Sequence, residues 1–188
     1  AGVPVIVDAA GQLPPASNLQ LFIAEGADLV CFSGGKTIAG PQASGILAGR
    51  RHLIEAAALQ HLDLDILWDQ WKPPVALIDK SHLPGAPHHG IGRPCKVGKE
   101  EIVGLLAALE LFVAEGDDAR LARWLAHMEA LVSAIGSIAG VQVELRNDAK
   151  RAAIPAVHVQ LDEDTIDKSA LDIVRELQDG KPEIAANP

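Results

Sequence analysis

Two residues of complementary chemistry, Asp8 and Lys36, each follow a short apolar run. The first run, Val3-Pro4-Val5-Ile6-Val7, is β-branched and continuous rather than alternating, the pattern of a strand buried on both faces of a parallel sheet, and Asp8 ends it. The second, Asp28-Leu29-Val30-Cys31-Phe32-Ser33, leads into Gly34-Gly35-Lys36. Between them Leu19 to Glu25 has helical spacing and Gly26 is placed to end it. A strand, a helix and a strand make a βαβ unit whose right-handed crossover brings the carboxyl ends of both strands to one edge. Ligands of open α/β sheets sit at that edge. An amine there can condense with an aldehyde, and a carboxylate can keep a heteroaromatic nitrogen protonated; together they suit pyridoxal phosphate. Glycines beside Lys36 let backbone approach a cofactor closely, and the Ser33 hydroxyl with nearby N–H groups is a candidate phosphate contact. On spacing alone, a turn aspartate and a solvated loop lysine explain the pair more simply.

Other constellations compete for the same residues or lie elsewhere. Gly35-Lys36-Thr37 matches the end of a P-loop, but the motif's first glycine would fall on Val30, and Gly40-Pro41 stops the helix such a lysine opens. His82, His88, His89 and Cys95 fit no standard zinc spacing, and no metal is assigned to them. Asp63, Asp65 and Asp69 alternate with Trp68 and Trp71 and read as the polar edge of a half-buried segment rather than a metal site. Arg93, framed by Gly92 and Pro94, has a planar fork suited to a substrate carboxylate or phosphate, and a plain surface arginine is an equal alternative. His89 is a candidate substrate contact on the same loop, and Cys31 reads as a core residue.

The elements that would position these groups continue along the chain. Gly45 to Gly49 is a third short strand, and residues 50 to 95 read as one long irregular region, of the kind that is usually functional. A helical face of Ile102, Leu105, Leu106, Leu109, Phe112 and Val113 follows, broken by Gly116. A second helix carries Leu121, Leu125, Met128, Val132, Ile135 and Ile138 and ends near Gly140. Residues 141–145 and 157–161 alternate as half-exposed strands, and a helix runs from about Ile166 to Leu177. The organisation expected is an α/β fold: 1–97 as part of a large cofactor-binding domain, 98–139 as linking helices, and 140–188 as a small, incomplete α/β domain. Because Ala1 opens almost directly on a strand, a fragment of a longer chain is expected.

Composition narrows the function classes. The chain has 188 residues, 48% hydrophobic and 22% charged, which excludes disordered and fibrous readings. Against 25 acidic residues stand 16 basic ones, a net charge of −9 that repels a phosphate backbone, so a nucleic-acid partner is not expected. Neither a signal peptide nor an uninterrupted apolar span is visible, and two distant cysteines fit a reducing, cytoplasmic compartment with no membrane partner. Tyrosine is absent, so any phenol a site needs must come from elsewhere.

The segments Val7-Asp8-Ala9-Ala10-Gly11-Gln12, Gly26-Ala27-Asp28-Leu29-Val30, Phe32-Ser33-Gly34-Gly35-Lys36 and Gly40-Pro41-Gln42-Ala43-Ser44-Gly45 resemble fold type I pyridoxal-phosphate enzymes of the selenocysteine-synthase-like group. Within that group, His89-Gly90-Ile91-Gly92-Arg93-Pro94 and the stretch from Lys96 to Leu106 look most like the D-glucosaminate-6-phosphate ammonia-lyase branch, and a weaker similarity reaches residues 177–184. The resemblance implies an aspartate-aminotransferase-like fold with pyridoxal 5'-phosphate as cofactor. It makes Lys36 the cofactor-linking lysine, Asp8 the partner of the pyridine nitrogen, Ala10 a contact to the ring and Ser33 a phosphate contact. Gly35 stands where many fold type I enzymes carry a histidine. The residue stacking on the ring's other face and most of the phosphate cup lie earlier in family members. The implied activity is a lyase that removes water and ammonia from a 2-amino-3-hydroxy acid, with a homodimer or higher homo-oligomer as the assembly. The alternatives are a seryl-tRNA selenium transferase and a non-catalytic fragment or nucleotide-binding module.

Overall fold

The structure is a computed structural model that describes residues 2–62, 66–85, 89–147 and 154–187. Contacts divide it into two units, Ala1–Gly116 and Asp117–Pro188.

In the first unit β1 (Ile6–Asp8), β2 (Leu29–Ser33) and β3 (Gly45–Gly49) form one sheet in the order β1-β2-β3. The helix α1 (Asn18–Ala24) connects β1 to β2, which are parallel with Asp8 opposite Cys31; β3 returns antiparallel, with Gly45 opposite Ser33. Alternation along each strand gives the sheet two unlike faces. Val7, Val30, Phe32, Ile46 and Ala48 share the packed face, covered by Phe22 and Leu19 of α1, by Leu13 and Ile38 from the loops, and by Leu105 and Phe112 of α3 (Lys99–Glu115). Each fully buried side chain of this kind stabilises the fold by roughly 1.5–3 kcal/mol. The opposite face, with Ile6, Asp8, Cys31, Ser33 and Leu47, is largely open. The βαβ unit and the third strand are therefore as the apolar runs predict.

β1 differs from its expected environment. Val5 is 55% and Ile6 64% exposed, because among the described residues β1 has a neighbour only on the β2 side and little covers its outer face. What holds it is Asp28, 7% exposed, whose carboxylate accepts from the Val5 N–H at 2.6 Å and pairs with Arg50 Nε at 2.7 Å. The region 50 to 95 also departs from a wholly irregular reading: Arg51–Gln60 is a helix, α2. Its entry has no Ser, Thr or Asp cap, since Arg50 is the capping residue and makes no side-chain cap bond, so the usual start signal is missing. Downstream, Lys80 Nζ donates to the carbonyls of Trp68 and Trp71 and lies 4.3 Å from the Trp68 ring centroid, which ties the tryptophan segment together. Asp69 lies here; Asp63, Asp65 and His88 fall outside the described residues.

The second unit packs α4 (Asp117–Ile135) on a two-stranded antiparallel sheet of β4 (Val141–Arg146) and β5 (Ala156–Leu161). Val141, Val143 and Leu145 are half-buried while their neighbours in β4 are exposed, as the alternation predicts. The helix expected over 166–177 is instead two: α5 (Glu163–Ile166) and α6 (Ala170–Asp179). Asp167 adopts a left-handed φ of 57°, and Ser169 with Asp172 forms a reciprocal capping box that restarts the backbone in a new helix. No helix among the described residues is long and apolar enough to cross a membrane. Among the same residues no group of three His, Cys, Asp or Glu side chains is placed to hold a metal ion.

Candidate active site

Asp8 and Lys36 lie just beyond neighbouring strands that run the same way, so both belong to the carboxyl edge of the sheet. Asp8 is the last residue of β1 and shares the open face with Cys31 and Ser33. One carboxylate oxygen, Oδ1, accepts from the Ala10 N–H at 3.0 Å and faces the Cys31 thiol at 3.9 Å. Cys31 is thus half-buried at the site edge rather than a core residue, with its thiol also 3.7 Å from the Val7 carbonyl. Ala10 is half-buried in the turn that follows Asp8, and Ser33 is half-buried at the end of β2.

Lys36 follows two glycines whose positions leave no room for a side chain. A Cβ at Gly35 would lie 2.7 Å from the Gln42 Cα, and one at Gly34 would lie 2.1 Å from Ser44 Oγ and 3.0 Å from the Ser44 carbonyl. The strap from Pro41 to Gly45 therefore presses on the residues that carry Lys36. Backbone bonds fix this approach: Gly34 N–H donates to the Ser44 carbonyl at 2.9 Å, Gly40 N–H to the Gly34 carbonyl at 2.8 Å, and Ala39 N–H to the Lys36 carbonyl at 2.8 Å. With its backbone held, the Lys36 side chain is exposed, and its ammonium makes no ion pair or hydrogen bond among the described residues. No helix opens at Lys36. The chain turns through Thr37 and Ile38 to Ala39, at a φ of 59°, and on into β3, which removes the P-loop reading.

An accessible amine on a backbone-fixed loop, a carboxylate on the adjacent strand end and an open sheet face fit an aldehyde cofactor with a ring nitrogen. Ser33 is the hydroxyl at this edge. His89 and Arg93 belong to a different segment. Gly90 N–H donates to the Leu62 carbonyl at 3.2 Å and Gly92 N–H to the Gln60 carbonyl at 2.8 Å, while the Gln60 side-chain oxygen accepts from Ile91 N–H at 3.2 Å. The segment is thus fastened to the C-terminal end of α2, with Arg93 and Cys95 exposed in a 3-10 turn and His89 exposed beside it. Sequence reading passed over Asp28, Thr37 and Gln60. Of these only Asp28 carries a local signal, an acid directly before an apolar strand run.

A family model described as L-seryl-tRNA selenium transferase matches residues 2–69, the part that carries Asp8 and Lys36. A Streptomyces 5'-C-glycyluridine monooxygenase-decarboxylase is 32% identical over 97% of this chain and 38% of its own length. The D-glucosaminate-6-phosphate ammonia lyase of Salmonella typhimurium is 29% identical over 98% of this chain and 40% of its own length. A solved structure of D-glucosaminate-6-phosphate ammonia-lyase superposes with a TM-score of 0.63 at 26% identity, covering 98% of this chain and 40% of that one. The chain therefore spans about 40% of the length of the relatives it matches. Over the edge of the sheet that carries Asp8 and Lys36, and more weakly along its length, the chain is thus similar to the selenocysteine-synthase-like group of pyridoxal-phosphate enzymes, near the D-glucosaminate-6-phosphate ammonia-lyase branch.

Proposed function

We propose that this chain carries the lysine-bearing part of a pyridoxal-phosphate lyase acting on a 2-amino-3-hydroxy acid, with D-glucosaminate 6-phosphate as the leading substrate. The observation that carries the reading is the placement of Asp8 at the end of β1 and of Lys36 just past the end of the neighbouring parallel strand β2, on a loop that only glycines permit. When bound, pyridoxal phosphate supplies an electron sink for negative charge at the substrate α-carbon. Lys36 Nζ would hold the cofactor through its aldehyde carbon, and the same amine would serve as the base that takes the substrate α-proton. The Asp8 carboxylate would face the ring nitrogen and keep it protonated. Ser33 would contact the phosphate and Ala10 the ring. Arg93 pairs its planar fork with a substrate carboxylate or phosphate, with His89 beside it. Loss of the 3-hydroxyl as water and hydrolytic release of ammonia leave a 2-keto acid. On this reading residues 1–97 are part of the large domain, 98–139 link it to the small one, and the assembly is a homo-oligomer in the cytoplasm without a nucleic-acid partner.

The test is direct. Titration with pyridoxal phosphate is expected to give a visible absorbance band that Lys36→Ala abolishes, and a panel of hydroxy amino acids with and without phosphate is expected to show ammonia release. A band that persists in Lys36→Ala ends the assignment of Lys36. A second reading, a transferase acting on an aminoacyl-tRNA, is favoured by the family model over residues 2–69 and opposed by the net charge of −9. Tight, salt-sensitive retention of tRNA in a filter-binding assay would select it.

A further inference from the structure

Thr37, directly after Lys36, reaches across to the other loop of the site. Its Oγ1 donates to the Leu13 carbonyl at 2.8 Å, a contact between residues 24 apart in sequence. Leu13 is buried in the core midway along the loop that follows Asp8. That loop is itself braced, by Gln12 N–H to the Ala9 carbonyl at 3.0 Å and by Asn18 Nδ2 to the Gln12 carbonyl at 2.6 Å. On the other side, the Lys36 carbonyl takes the Ala39 N–H at 2.8 Å, so Lys36 and Thr37 sit in a turn closed by a backbone hydrogen bond. The Thr37 hydroxyl therefore joins two stiff loops, one headed by Asp8 and one carrying Lys36.

We propose that Thr37 is a positioning residue that sets the reach of Lys36 toward a cofactor whose ring nitrogen is held by Asp8. This rests on the assignment of Lys36 and Asp8 as cofactor-holding residues. A covalent link is sensitive to the placement of its amine, since a carbon–nitrogen bond tolerates far less displacement than a contact to solvent-facing polar groups. Valine at position 37 keeps the branched shape but puts a methyl group in place of the hydroxyl, leaving the Leu13 carbonyl without this donor.

The discriminating measurement compares two ligands. Pyridoxal phosphate needs Lys36 for its covalent link; pyridoxamine 5'-phosphate has the same ring and phosphate but no aldehyde. Thr37→Val is expected to weaken pyridoxal phosphate at least fivefold while changing pyridoxamine phosphate less than twofold, and Thr37→Ser, which keeps the hydroxyl, is expected to hold both within twofold of the unaltered chain. Equal weakening of the two ligands in Thr37→Val would show a merely structural role and overturn the proposal. So would no weakening, or loss in Thr37→Ser equal to that in Thr37→Val in chains that stay folded by circular dichroism. If the unaltered chain gives no absorbance band, or if Lys36→Ala keeps it, the underlying assignment fails first and the Thr37 proposal falls with it.

Discussion

Replacing Asp28 by alanine tests whether one buried carboxylate fastens the strand that presents Asp8. Asp28 accepts from the Val5 N–H at 2.6 Å, and its own N–H returns to the Val5 carbonyl at 2.9 Å, so the side chain completes a clasp at the start of β1. Losing a hydrogen bond to a charged acceptor costs about 1.5–3 kcal/mol. The ion pair to Arg50 adds at most about 1 kcal/mol, because that side chain is 63% exposed and screened by water. Asp28→Ala is therefore expected to destabilise the first unit by about 2–4 kcal/mol, and Asp28→Asn, which keeps an acceptor, by about half of that. With a slope of about 2 kcal/mol per molar urea, the alanine variant moves the midpoint down by about 1–2 M. Trp68 and Trp71 report on the first unit once Trp124 is replaced by phenylalanine, since Trp71 is buried and its emission shifts on unfolding. A midpoint for Asp28→Ala within about 0.3 M of the unaltered chain, or equal losses for alanine and asparagine, would refute the clasp.

Two further outcomes follow from the geometry. A Cβ at Gly90 would lie 1.9 Å from the Gln60 carbonyl oxygen, so Gly90→Ala must displace the segment that carries His89 and Arg93. On the proposed reading KM for the ammonia-releasing substrate rises about tenfold or more while the cofactor band is kept, the cost of one charge-assisted contact; unchanged KM would remove Arg93 from substrate binding. In the second unit, the Asp172 carboxyl is held below its ordinary value of 3.8 by the Ser169 hydroxyl, then by the Ser169 N–H. A carboxyl depressed in the folded state stabilises above its unfolded value and loses that contribution as pH falls through the folded one. Amide protection in α6, measured against the intrinsic exchange rate at each pH, should accordingly fall as pH drops below about 3.8 in the unaltered chain and show no such step in Asp172→Asn.

How much of this was legible in the sequence follows from the range over which each feature is determined. The parallel pair β1 and β2, the intervening helix ending before Gly26 and the strap from Gly40 to Gly45 are set by apolar runs and by glycine and proline, which act locally. The burial of β1 is not local. Val5 and Ile6 carry the residues of a doubly covered strand, but their exposure depends on what lies on the far side of β1. Helix α2 was hidden because its N-cap, Arg50, makes no side-chain capping bond. The break at Asp167 was hidden for the converse reason: apolar spacing over 166–177 reads as continuous, and the Ser169 capping box that overrides it depends on the geometry of its side chains. Of the proposed site, the positions of Asp8 and Lys36 at the carboxyl edge of the sheet are legible through their strands. The hydroxyl bridge from Thr37 to Leu13 spans 24 residues and the Gln60 side-chain bond to Ile91 spans 31, and neither has a periodic signature.

The two kinds of site residue are held in physically different ways, and this bears on how related chains divide their chemistry. Asp8, Ser33 and Lys36 are placed by strand register and by backbone contacts among residues 34, 40 and 44, an arrangement that depends on glycine rather than on particular side chains. His89 and Arg93 are placed by a separate fastening to the end of α2. An electron sink does not itself choose among elimination, transfer and other outcomes; the groups around the substrate do. If the first set holds the cofactor and the second meets the substrate, the second can change without disturbing the register that presents Asp8 and Lys36. On the proposed reading, that separation fits a chain whose relatives are named for a lyase and for a monooxygenase-decarboxylase, and whose residues 2–69 match a selenium-transferase model.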